Sequence, residues 1–138
     1  MSSLSRHSAY ALPEPSTPAQ LDALLRELGI RPPGPVQYEL VSEWAAKHVW
    51  RVDVRGEPWA YVRSLLGPAD RFPERWRHLR LSELLYKEGV GPRVLGLSEA
   101  SEALGGRAVM VEAALRPIER DELEARAEEA IQLFARLH

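Results

Sequence analysis

Leu21, Leu24, Leu25 and Leu28 recur at helical spacing, which predicts an amphipathic helix near the start of the chain. Thr17 can cap the free amides at its start, Pro18 fits the first helical position, and Gly29 stops it. The Arg31-Pro32-Pro33-Gly34-Pro35 run is a rigid connector. From Val36 the period shortens. Val36–Val41 reads as a strand and Ser42–Lys47 as a less regular turn. Val49–Val54 and Trp59–Leu66 flank an Arg55-Gly56-Glu57-Pro58 turn and read as a hairpin. Gly67-Pro68 breaks the strand, and Pro73 can open a helix to about Glu88, with Trp76, Leu79, Leu84 and Leu85 as its buried stripe. Gly89-Val90-Gly91-Pro92 ends that helix. Val94–Leu97 and Ala108–Val111, separated by a loop with Gly105-Gly106, predict another antiparallel pair. In Arg120–His138 one helical face carries Leu123, Ala127, Ala130, Ile131, Phe134 and Leu137, and glutamates fill much of the rest.

The predicted order is helix, three strands, helix, two strands, helix, an α+β chain without internal repeat. Residues 1–35 are expected to form an N-terminal arm and helix, and residues 36–138 the main domain. Met1–Ser16, rich in Ser and Pro, reads as a tail or wrapping arm.

Composition narrows the classes. Hydrophobic residues at 45% and charged residues at 28% are ordinary for a globular protein of 138 residues. A formal net charge of -2 argues against general nucleic-acid binding. No apolar run reaches the roughly 18 residues of a membrane span, and the N-terminus lacks the apolar core of a secretory signal. A cytoplasmic location is the resulting expectation. Zero cysteine excludes disulfides, thiolate metal sites and cysteine nucleophiles. His7, His48, His78 and His138 are scattered without metal-ligand spacing, so no metal site is expected. Trp44, Trp50, Trp59 and Trp76 read as core or half-buried sheet residues. Arg71, Arg75, Arg77 and Arg80 read as a solvated helix face, with an anion-binding or acidic-partner patch as the alternative.

Four segments carry a resemblance to a known family. Trp59-Ala60-Tyr61-Val62-Arg63 resembles the third strand of the aminoglycoside phosphotransferase and choline kinase-like family. Gly89–Gly96 resembles its turn into the fourth strand, Val109-Met110-Val111-Glu112 its hinge strand, and Leu133–His138 the helix that follows. The resemblance covers about Val36 to His138. It implies the N-terminal lobe of the protein-kinase-like fold, a five-stranded antiparallel sheet with a helix after the third strand.

The resemblance also implies roles. Arg63 takes the place of the basic residue that contacts nucleotide phosphates, where a guanidinium can grip phosphate oxygens in bidentate fashion. Ser42 to Lys47 would form the turn that covers the phosphates, with Lys47 offering a positive charge. The family carries glycine there; this segment has none and includes Glu43 and Trp44. The helix after the third strand normally supplies a glutamate to pair with the basic residue. His78 aligns with that position, and Glu74 or Glu83 could substitute, Glu74 being preferred. Glu112 and Ala113 would sit at the hinge, where backbone groups contact an adenine ring. ATP is the implied cofactor.

The family's catalytic and metal-binding motifs follow the last helix, and no His-x-Asp occurs in this sequence. The expectation is therefore a lobe without catalytic residues, inactive by itself, whether truncated or completed by another chain. The alternative is a non-enzymatic interaction module that self-associates, as a symmetric dimer, through the face that would meet the missing lobe.

Overall fold

The computed structural model describes residues 14–44, 47–115 and 117–137. Helix α1 (Pro18–Glu27) begins in a capping box: Thr17 Oγ1 accepts from the Gln20 amide while the Gln20 side chain accepts from the Thr17 amide. Three strands follow, β1 (Val36–Trp44), β2 (Lys47–Val54) and β3 (Glu57–Leu65). Then come α2 (Pro73–Lys87), β4 (Val94–Ser101), β5 (Arg107–Ala113) and α3 (Pro117–Leu137).

The strands form one antiparallel sheet of five, in the order β1-β2-β3-β5-β4. The α+β class, the five antiparallel strands and the helix after the third strand are those expected. Boundaries shift outward. The first strand, expected to end at Val41, continues through Ser42, Glu43 and Trp44, whose partners on β2 are Val49, His48 and Lys47. A register shift between Leu40 and Ser42 breaks the alternation there, which is why the segment looks irregular in sequence. The fourth and fifth strands likewise run beyond their apolar centres. Residues 1–13, Ala45, Ala46, Arg116 and His138 lie outside the described residues, so most of the expected arm, the tip of the first turn and the terminal histidine are not described.

Strand alternation divides the core in two. One sheet face presents Trp50, Val52, Ala60, Val62, Val109 and Val111 to Leu21, Leu24 and Leu25 of α1, with Ile30 and Leu104 closing the ends. The N-terminal helix therefore shares a core with the sheet rather than standing apart with the arm. Glu27 ties α1 to the β4–β5 connection: its carboxylate accepts from Ser101 Oγ at 2.5 Å and from the Glu102 amide at 2.9 Å. The opposite face carries a smaller cluster in which Trp76 and Leu79 of α2 pack on Leu65, Ala108 and Met110, whereas Leu84 and Leu85, expected in the same buried stripe, are about half exposed. Because α2 covers only part of this face, the remainder stays open beside Arg63.

Among the described residues, no helix is long and apolar enough to cross a membrane.

Candidate functional site

The open part of the sheet is built by register. Arg63 on β3 lies opposite Val49 of β2 and Met110 of β5. Lys47, opposite Leu65, and Glu112, opposite Tyr61, are then its diagonal neighbours on the same face, one on each side. Diagonal positions are within reach of long side chains. Arg63 Nε donates to Glu112 Oε1 at 2.5 Å. The Glu112 side chain is almost wholly buried, whereas a third of Arg63 stays exposed. A buried carboxylate is costly without a partner, and the guanidinium supplies one.

Arg63 separates two grooves. The larger, about 410 Å³, is lined by Lys47, Arg63 and Leu65 from the sheet and by Arg75, His78, Leu79 and Ser82 from α2. The helical spacing of Arg75, His78 and Ser82 aims this edge of α2 at the sheet, next to the buried Trp76 and Leu79. Burial lowers the Lys47 ammonium pKa from its usual value, and the nearby Arg63 and Arg75 charges lower it further, with Glu112 acting in the opposite sense. Cations are thus crowded into a partly dry groove. That arrangement favours a bound anion with several oxygens.

The smaller groove, about 240 Å³, lies across Arg63 and is lined by Tyr61, Arg63, Pro92, Glu112, Ala113 and Leu115. Beside the Arg63–Glu112 pair its walls are one aromatic ring, Tyr61, and the apolar Pro92, Ala113 and Leu115, a surface that suits a flat ring. The hinge amides there are already engaged. Ala113 N–H donates to the Arg93 carbonyl at 2.8 Å and Ala114 N–H to the Trp59 carbonyl at 2.9 Å.

The structure thus gathers Lys47, Arg63, Glu112 and Ala113 around one site. It does not gather Ser42 or Glu74 there. Ser42 is paired within β1 and is not among the groove residues, because the strand continues where a covering turn was expected. Glu74 lines a separate groove with Arg77, His78 and Leu81 on another side of α2. Glu83 is held by Arg80 and Lys87 on the same helix. The carboxylate that pairs with Arg63 comes from β5. Of the helix residues in the groove, His78 aligns in sequence with the position that pairs with Arg63, Arg75 reads as part of a solvated face with anion binding as the alternative, and Ser82 is not singled out. Their spacing from the apolar Leu79 was the available signal, since residues flanking a buried stripe sit at the rim of whatever the helix covers.

A larger cleft of about 640 Å³ lies between α1, the proline connector and β1. Its Asp22 is engaged by the Tyr38 hydroxyl, which donates at 2.5 Å. Elsewhere His48 is fully buried, and neither ring nitrogen has a hydrogen-bond partner. Among the described residues no group of three or more His, Asp or Glu side chains could hold a metal ion.

No protein-family model, curated protein or solved structure matches the chain.

Proposed function

We propose that this chain is a nucleotide-contacting lobe of the aminoglycoside phosphotransferase-like type, in which Lys47 and Arg63 hold the phosphates of ATP. The observation that carries the reading is the convergence of Lys47, Arg63 and Arg75 on one groove between the sheet and α2. The neighbouring groove beside Tyr61, Ala113 and Leu115 would take the base. Because the amides of Ala113 and Ala114 are engaged within the fold, base recognition rests on shape and carbonyl oxygens, and the phosphates supply most of the affinity. The groups that would transfer a phosphoryl group are not among these residues.

Thermal unfolding with ATP, ADP and adenosine tests this. A ligand at a hundredfold excess over its Kd stabilises by about 2.7 kcal/mol. ATP is expected to raise Tm clearly and adenosine hardly at all, with the ATP response lost in Arg63→Ala. No shift at millimolar ATP would remove the reading.

A second reading, self-association as an interaction module, is favoured by a separate observation. Leu81, Leu84 and Leu85 on α2 are each about half exposed and lie at helical spacing, with Tyr86 beside them. A second copy of the chain is the proposed occupant of this stripe. Light scattering at high concentration decides it, and a strict monomer would remove this reading.

A further inference from the structure

The two lysines of the chain stand in contrasting surroundings. Lys87, the last residue of α2, is largely exposed, and its Nζ is held by Glu83 Oε1 at 3.4 Å. Lys47 is partly buried in the groove between the sheet and α2, beside the apolar Leu65 and Leu79. Among the described residues it makes no ion pair. Arg63 is its diagonal neighbour on the same sheet face. Burial, then the Arg63 and Arg75 charges, lowers the Lys47 pKa, and Glu112 opposes this. At a given pH, more of Lys47 is therefore neutral amine than of a fully solvated lysine.

We infer that Lys47 is a carbon dioxide-binding residue, its amine converted to a carbamate that Arg63 holds. Carbon dioxide is a small electrophile that reacts with neutral amines and not with ammonium. The nitrogen lone pair forms the new C–N bond, one C=O π pair moves onto oxygen, and one amine proton passes to solvent. The product is an anion where the unreacted groove held a cation. Arg63 donates to Glu112 from Nε, and a guanidinium has further N–H donors for a second carboxylate-like group. A diagonal pair of long side chains spans the separation, with Glu112 kept on the opposite side of the guanidinium. A stable carbamate needs a neutral amine before reaction and a cation beside the product afterwards, and both meet at Lys47. At Lys87 the ammonium is paired with Glu83, and the same carboxylate would repel a carbamate. Carbamylation needs only the amine, Arg63 and dissolved carbon dioxide, so it is independent of the nucleotide reading, although both use Lys47.

The test equilibrates the full chain with isotope-labelled bicarbonate, fixes carbamates as esters with a trialkyloxonium salt, and maps the label by peptide mass spectrometry. Label is expected on Lys47 at several times its level on Lys87. Equal or lower labelling of Lys47 overturns the inference. This comparison is made in wild type and needs no variant. Arg63→Gln, checked for folding by circular dichroism, is expected to lower Lys47 labelling about tenfold, and undiminished labelling overturns the role of Arg63. Labelled Lys47 in a chain whose Tm is unmoved by ATP supports the inference and removes the nucleotide reading. A Tm response to ATP without label on Lys47 does the reverse.

Discussion

Arg63 and Glu112 meet across the β3–β5 seam as a diagonal pair, the Arg63 side chain one-third open to solvent and the carboxylate nearly sealed. Their unequal burial makes the two partners unequal in a mutational test. Arg63→Ala leaves a buried carboxylate alone and is expected to cost about 3 kcal/mol. Glu112→Gln keeps an acceptor in place and lets Arg63 turn towards water, so a loss of about 1 kcal/mol is expected. Urea unfolding of both variants measures the difference. Equal losses would contradict the asymmetry.

Lys47 is expected to oppose stability in the absence of ligand. Its ammonium pKa lies below the ordinary 10.5 because of burial and the charges of Arg63 and Arg75. The folded state therefore disfavours the proton. The penalty is fully present below the folded pKa and fades as pH rises through it towards 10.5. Lys47→Met should stabilise the empty protein by about 0.5 kcal/mol near neutral pH, a value reduced for solvent screening. The advantage should shrink by pH 10, and the same variant should bind ATP more weakly. Chemical denaturation from pH 7 to 10 checks the trend.

His48 should make the fold sensitive to mild acid. Burial, then the nearby Arg107 charge, lowers its pKa from 6.5, and Glu43 only partly opposes this. The unfolded chain takes up the proton first. The contribution is complete above pH 6.5 and is lost as pH falls towards the folded value. Wild type should lose stability between pH 7 and 5, and His48→Leu should flatten that slope. Parallel slopes in the two proteins would show that the acid response arises elsewhere.

Gly96 marks where β4 passes the end of α1. A β-carbon there would meet Leu28 Cβ at 3.3 Å and Ile30 Cδ1 at 3.4 Å. Gly96→Val should force α1 away from the sheet and cost about 1–3 kcal/mol. Thermal unfolding would register it, and near wild-type Tm would mean that the contact yields freely.

The sheet was legible because its apolar centres are strong: Val52, Val62, Val109 and Val111 are fully buried and alternate as strands require. Thr17 and Gly29 marked both ends of α1. The ends of β1 and β4 were not legible, because both strands change register partway and their outer residues are polar. The basic half of the site could be read as a resemblance at Arg63 and Lys47. Its acidic partner could not. Glu74 looked suitable on the helix, yet what decides pairing is the diagonal position across two strands that α2 and β4 separate in the chain. Single-sequence periodicity carries no information about that distance.

The strand order has a consequence for how the molecule assembles. β1, β2 and β3 pair with sequence neighbours, whereas the seam that joins Arg63 to Glu112 closes over 49 positions. Short-range pairing is favoured early because its loop-closure entropy is small. Lys47 and Arg63 are then expected to meet before Glu112 joins them, which would place two cations near each other on the β2–β3 pair. Phosphate in the refolding buffer is expected to speed this first step more than it slows unfolding, which stopped-flow fluorescence of Trp50 and Trp59 can resolve.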